Sequence, residues 1–108
     1  MRYYKYLYVS DSISNPEKVK RSLKLHKGVL GIYLIMLSSD PEQVEIMNAA
    51  FLKLPYYRKH PPVIVGIAKT FDEASSLVIE MINESMFRTG NASLKEFLKL
   101  KARTNNFS

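Results

Sequence analysis

Six polar residues follow apolar segments of the sequence, at positions where they could bind an anion. They are Ser10 and Asp11, Ser38 and Ser39, and Lys69 and Thr70. If the apolar segments are parallel strands, these residues meet at the carboxyl edge of the sheet, where open α/β folds bind ligands. Helix N-termini beside them would add N–H donors and a favourable dipole. Helix capping and turn formation are the simpler explanation, because both use the same residue types.

Motifs that would define a particular reaction are missing from the sequence. Neither G-x-G-x-x-G nor G-x-x-x-x-G-K-[ST] occurs, which argues against a dinucleotide or P-loop nucleotide. The chain has no cysteine and its two histidines, His26 and His60, are far apart, so neither a metal site nor a cofactor is predicted. A non-catalytic protein is therefore favoured. A small enzyme with Lys69 beside Asp11 or Ser38 is an alternative.

Aromatic and cationic residues are combined in one short segment that could stack bases and neutralise phosphates. Its residues are Tyr56, Tyr57, Arg58, Lys59 and His60. They begin a segment over residues 56–62 that is predicted to be an irregular loop, because Pro61 and Pro62 hold it extended. The net charge of the chain is +6, with Lys and Arg concentrated near both ends and in this segment. Together with a basic first helix, the segment makes nucleic-acid binding an alternative function. The simpler interpretation is a helix end where cations complement the dipole and tyrosines cover the rim of the core.

Three segments rich in β-branched, aromatic and other apolar residues predict strands over residues 3–9, 30–37 and 63–68. The second and third are apolar almost throughout, as is typical of parallel strands buried on both faces. In the first, every second residue from position 4 to position 8 is a tyrosine, which predicts a tyrosine stripe on one face. Core beneath a helix is the favoured interpretation of this stripe, a subunit interface is the next, and a platform for stacking RNA bases is the least favoured.

Capping residues, prolines and apolar residues at three-to-four spacing predict helices over about 16–27, 41–54 and 71–89, and a last short helix after Ser93. Strands that alternate with helices imply right-handed crossovers and a parallel sheet. The sequence thus predicts a three-layer α/β fold of order β-α-β-α-β-α-α. Its sheet would have three short parallel strands with the first strand central, as in half of a Rossmann-like or flavodoxin-like fold.

The chain of 108 residues is predicted to form one domain over residues 1–102, followed by a flexible tail over 103–108. No apolar run approaches the ~18 residues that a membrane span needs. A strand that begins at residue 3 leaves no room for a signal peptide, and a chain without cysteine needs no oxidising compartment. We expect a soluble, cytoplasmic protein with no membrane partner.

Four segments carry a resemblance to a known family. They are residues 24–28, GIYLIML at 31–37, YYRK at 56–59 and, above all, VGIAKTFDEA at 65–74. Over residues 22–97 the chain resembles a family of small uncharacterised bacterial proteins, in which Gly is commoner at the position of Thr70. The resemblance implies a bacterial cytoplasmic protein and implies no activity.

Apolar and aromatic residues are more abundant than one small sheet is expected to bury, which favours self-association. They include the tyrosine stripe, Met81, Met86 and the apolar residues of the last helix. We expect a two-fold homodimer that serves as a binding or assembly module. In the alternative, the last helix folds back over the stripe and buries it within one chain.

Overall fold

The computed structural model describes residues 2–24, 29–37, 44–90 and 94–103. Its strands are β1 (Arg2–Val9), β2 (Tyr33–Leu37), β3 (Val44–Asn48) and β4 (Val63–Ala68). Its helices are α1 (Pro16–Lys24), a 3₁₀ helix (Ala49–Lys53), α2 (Pro55–Lys59), α3 (Phe71–Thr89) and α4 (Leu94–Arg103). The mixed α/β class is therefore confirmed.

The strands form one mixed sheet in the order β1-β4-β2-β3. β1 pairs with β4 in parallel, whereas β2 is antiparallel to both β4 and β3. The prediction of three parallel strands with the first one central is therefore wrong, and so is the Rossmann-like order. β1 lies at an edge, which accommodates the exposed side chain of Lys5 without burying its charge.

The helix predicted over residues 41–54 is also wrong. Residues 44–48 form β3, and residues 38–43 lie outside the described part of the chain. Val44 and Ile46 pack on one side of the sheet and Met47 packs on the other. The apolar residues whose spacing suggested a helix therefore belong to a strand with both sides buried. Pairing with β2 along five residues overrides the local helical pattern, because burial against a sheet outweighs intrinsic propensity.

Both faces of the sheet are covered by apolar side chains and helices. The α1 face, beneath α1 and the 3₁₀ helix, buries residues that include Leu23, Leu34, Leu52, Ile64 and Ile67. The α3 face, beneath α3 and α4, buries residues that include Ile35, Val65, Leu77, Met81 and Phe97. β4 contributes to both faces, because its side chains alternate about a backbone buried between two neighbouring strands.

The predicted helix from residue 71 is confirmed together with both of its caps. The Thr70 hydroxyl accepts a hydrogen bond from the Glu73 N–H at 3.1 Å. At the other end Gly90 has a φ of 70°, and its N–H donates to the Met86 carbonyl at 2.9 Å. Thr70 has a φ of −134°, which any residue adopts, so its turn has no need of the glycine that the resembling family favours.

Two residues of the tyrosine stripe of β1, Tyr4 and Tyr8, are covered within the chain by α3 and α4. The Tyr4 hydroxyl donates to the Leu98 carbonyl of α4 at 2.6 Å. The Tyr8 hydroxyl donates to the Glu84 carboxylate of α3 at 3.0 Å. Burial, followed by the charge of Glu84, raises the pKa of Tyr8 above its ordinary value. The last helix thus folds back over the stripe, as one of the two alternatives predicted.

The last helix extends through Arg103, one residue beyond the domain boundary predicted at 102, and residues 104–108 lie outside the described part of the chain. Among the described residues, no helix is both long enough and apolar enough to cross a membrane.

Gly66→Ala is expected to destabilise the protein by about 1–3 kcal/mol through overpacking. The added Cβ would lie 2.8 Å from Ile35 Cδ1 and 3.2 Å from the Tyr8 carbonyl oxygen. Ile35→Val removes Cδ1, so Gly66→Ala should cost less in an Ile35→Val background than in the wild-type chain. Urea unfolding of the four proteins measures this difference. Strictly additive costs would contradict the close approach of the strands at Gly66.

Candidate functional site

The carboxyl ends of β1 and β4 lie side by side, because these strands are parallel neighbours. The Ser10 N–H donates to the Ile67 carbonyl at 3.1 Å, and the Ser10 and Ser12 hydroxyls are 3.0 Å apart. Ser12 in turn donates its hydroxyl hydrogen to the Glu73 carboxylate in the first turn of α3. Hydroxyls from the end of β1 are thus connected to the start of α3.

Lys69 and Thr70 complete this cluster from the end of β4. The Lys69 backbone N–H donates to Glu73 Oε1 at 3.4 Å, while Thr70 caps α3 through the Glu73 N–H. The cluster therefore contains three of the predicted residues, Ser10, Lys69 and Thr70. Lys69 takes part through its backbone, and its exposed side chain forms no ion pair with a described carboxylate.

Glu73 is the central acceptor of the cluster. Hydrogen bonds from Ser12 and then from Ser10 lower the pKa of its carboxyl, with a smaller contribution from Lys69. The donors that could have held an external anion are thus directed at a carboxylate of the same chain. This arrangement stabilises the turn between β4 and α3, and it favours the capping explanation over anion binding.

An open cavity of about 610 Å³ adjoins the cluster. It is lined by Val9, Ser10, Asp11, Ser12, Glu73, Ser76, Leu77 and Glu80. Three of these side chains are carboxylates and none is a cation, so the cavity disfavours an anionic ligand. Within the described residues, no group of three or more His, Cys, Asp or Glu is arranged to hold a metal ion.

The third pair of predicted site residues, Ser38 and Ser39, lies outside the described residues. The end of β2 that precedes them is nevertheless described. Tyr33 pairs with Ala68 and Met36 with Ile64, so β2 ends beside the beginning of β4. The prediction that three strand ends meet at one edge is therefore wrong, because it assumed that β2 is parallel to its neighbours.

The aromatic and cationic segment is helical, where an irregular loop was predicted. α2 covers residues 55–59, and its last turn contains the exposed Arg58 and Lys59. The ring of Tyr56 stacks on His60 with 4.6 Å between centroids, and Tyr57 packs partly buried against the α1 face. Tyr57 thus covers the rim of the core, whereas Tyr56 is 61% exposed.

One feature that the sequence did not indicate is a line of exposed apolar side chains along α3. Phe71, Ile79, Ile82 and Met86 are 36–57% exposed, and we call these four residues the α3 stripe. Of these four residues, only Met86 was among the apolar residues expected to exceed what the sheet buries. The buried side of α3 consists of Ala74, Leu77, Met81 and Ser85.

Comparisons with models of protein families, with curated proteins and with solved structures found no match for the chain. The function of the chain is therefore inferred from its geometry and charge. They define a mixed α/β domain whose polar cluster is satisfied internally and whose α3 stripe is exposed.

Ser12→Ala is expected to raise the pKa of Glu73 toward the ordinary value of 4.5, because the largest contribution to its lowering is the Ser12 hydrogen bond. A pH titration followed by NMR at the Glu73 side-chain carboxyl carbon measures the change. Ser76→Ala, a hydroxyl deletion in the same cavity, should leave this pKa unaltered. Identical titration of Glu73 in the two variants would contradict the assignment.

The same hydrogen bond predicts a pH dependence of stability. A lowered folded-state pKa stabilises the folded protein above the unfolded-state value of about 4.5, and this stabilisation is lost as the pH falls through the lowered pKa. The stability difference between wild-type protein and Ser12→Ala should therefore shrink on acidification. Urea unfolding at neutral pH and at about pH 3 measures it, and a difference that grows in acid would contradict the account.

Proposed function

We propose that the protein is a non-catalytic assembly module that forms a homodimer about a two-fold axis. The contact surface in this proposal combines the outer edge of β3 with the α3 stripe. The observation that carries it is the exposure of Phe71, Ile79, Ile82 and Met86 on one side of a 19-residue helix. Exposed apolar side chains on one side of a helix are typical of sites where another protein binds.

The α3 stripe faces the side of the molecule where β3 lies. At about 100° per residue, its four members fall within an arc of about 80°. Glu73 and Glu84, which contact Ser12 and Tyr8 at the β1 side, lie on the opposite side of the helix. Because α3 also contacts β2 and β3, the side of the helix that carries the stripe is directed toward the sheet edge formed by β3.

Within the described part of the chain, no strand pairs with the outer edge of β3. The Ala49 N–H donates to the Ile32 carbonyl at 2.9 Å, continuing the β2–β3 ladder beyond Asn48. Hydrogen-bonded pairs alternate along an antiparallel ladder, so the N–H and C=O of Val44 and Ile46 point away from β2. The side chains of both residues lie on the α3 face, on the same side of the sheet as the stripe.

A second copy of the chain suits this surface better than an unrelated strand. Antiparallel pairing of two β3 edges, centred on Ile46, would join the two sheets and align their α3 faces on one side. Three of the four acidic residues of α3, Glu73, Glu80 and Glu84, lie on the opposite side of the helix from the stripe. Two stripes can therefore approach with little repulsion between like charges.

The edge at β1 is less suitable for pairing. From Tyr3 to Tyr8 the strand advances five residues while its partner β4 advances two, from Ile64 to Gly66. Such an irregular edge with an exposed lysine, Lys5, discourages the addition of another strand. The contrast between the two edges supports one closed dimer over an open chain of copies.

This dimer surface differs from the one that the sequence predicts. Tyr4, Tyr8, Met81 and Phe97 pack against the core of the α3 face within one chain, whereas Met86 is exposed and belongs to both the predicted and the proposed surface. The α3 stripe and β3 replace those four core-packed residues as the basis of self-association. A bacterial and cytoplasmic setting belongs to the same proposal and rests on the resemblance over residues 22–97.

Met86→Asp is expected to weaken dimer formation about tenfold or more, because a short carboxylate in an apolar interface cannot reach water. Phe87→Asp is the matched control. It places the same charge one residue further along the same helix end, but on another side of the helix, where Phe87 is 87% exposed. Both variants incur the same unfavourable interaction with the helix dipole.

Sedimentation equilibrium at micromolar concentrations measures the effect. The wild-type protein and Phe87→Asp should have twice the 12.4 kDa mass of the chain, and Met86→Asp should dissociate toward 12.4 kDa. A wild-type monomer, or equal weakening by both substitutions, would overturn the proposal.

A further inference from the structure

Cationic residues are concentrated in the layer that covers the α1 face. Helix α1, the 3₁₀ helix and α2 together carry one carboxylate, Glu17, and seven cationic residues. The seven are Lys18, Lys20, Arg21, Lys24, Lys53, Arg58 and Lys59. On the opposite face, α3 and α4 together carry five carboxylates and five cationic residues. The net positive charge of the helices is therefore concentrated on the α1 face, which the even spread of an ordinary solvated surface would not do.

The two basic segments of this layer are held on the same side by a common core. Val19 and Leu23 of α1 pack in the same cluster as Ala49 and Leu52 of the 3₁₀ helix and Tyr57 of α2. With these apolar side chains directed at the sheet, the lysines and arginines of both segments project from the same layer.

Most of this charge is not neutralised by neighbouring residues. Lys20 pairs with Glu17 at 3.3 Å and lies 5.2 Å from the centre of the Tyr3 ring. Among the described residues, no carboxylate forms an ion pair with Lys53, Arg58 or Lys59, all of which are exposed. These cations can therefore bind an external polyanion without first breaking internal pairs.

Exposed aromatic rings belong to the same layer as these cations. Tyr56 is 61% exposed and already stacks on the His60 ring, and Phe51 in the adjacent 3₁₀ helix is 52% exposed. Aromatic rings beside free cations can stack on bases while the cations contact phosphates. Stacking of this kind requires unpaired bases, which a duplex does not offer.

We propose that the layer formed by α1, the 3₁₀ helix and α2 binds single-stranded nucleic acid. Arg58, Lys59 and Lys53 contact phosphates, and the ring of Tyr56 stacks on a base. This binding surface lies on the sheet face opposite the α3 stripe, so it does not depend on the dimer proposed above.

Fluorescence anisotropy with labelled oligouridylate and oligothymidylate of about 20 nucleotides at low salt tests the electrostatic part. Lys59→Glu should weaken binding about fivefold or more and reduce the slope of log K against log salt by about 0.7, because the protein then neutralises one phosphate fewer. Lys99→Glu is the matched control, because it makes the same change of charge at an exposed lysine of α4, on the other face. No binding to either oligonucleotide, or equal weakening by both substitutions, would overturn the proposal.

The stacking part is tested at Tyr56. Tyr56→Ala should weaken binding about fivefold or more, whereas Tyr56→Phe keeps the ring and should bind nearly as well as wild-type. Duplex of the same length should compete poorly. If heparin or phosphatidylserine vesicles compete as well as the oligonucleotides and Tyr56→Ala binds normally, the layer is a general polyanion surface and the proposal is wrong.

Discussion

The fold depends on the position of β4, which lies between β1 and β2 and is buried on both faces. Ile64 and Ile67 contribute to the core of the α1 face, while Val65 and Ala68 contribute to that of the α3 face. Two consecutive residues, Val65 and Gly66, are directed toward the α3 face, and the registers with both neighbouring strands shift at this point. Val65, which both registers skip, forms a bulge in β4. Gly66 beside it has no side chain, which lets Ile35 and the Tyr8 carbonyl oxygen approach the strand closely.

This central strand also determines how polar and apolar surfaces are distributed. Its parallel pairing with β1 brings Ser10 beside Lys69, and α3 begins there with Glu73 as the acceptor that both strand ends share. Its antiparallel pairing with β2 places β3 at the far edge, next to the exposed side of α3. If two copies join through β3, their basic layers lie together on the other side of one continuous sheet. The two proposals are thus compatible, although each rests on its own residues.

Local patterns predicted the elements whose environment is simple. The apolar segment at 63–68 is buried on both faces, and α3 has a capping residue, a periodic core side and a glycine at its end. Residues 44–54 have helical spacing but become a strand and a 3₁₀ helix, because pairing with β2 is a long-range interaction that spacing does not encode. The direction of β2 was missed for the same reason, and with it the edge of the sheet at which β2 ends. At the candidate site, the capping pattern predicted the hydrogen bond from the Glu73 N–H to the Thr70 hydroxyl. The hydrogen bond from Ser12 to Glu73 joins residues 61 positions apart, so no local pattern predicts it.

Amide hydrogen exchange at Val44 and Ile46 measures whether the outer edge of β3 pairs with a second copy. In an isolated chain these N–H groups point away from β2 and should exchange rapidly. If two β3 edges pair, their protection increases with protein concentration across the range where the dimer forms, while the amides of Met47 and Glu45, which bond to β2, remain protected throughout. Rapid exchange at Val44 and Ile46 at every concentration would contradict the proposed pairing.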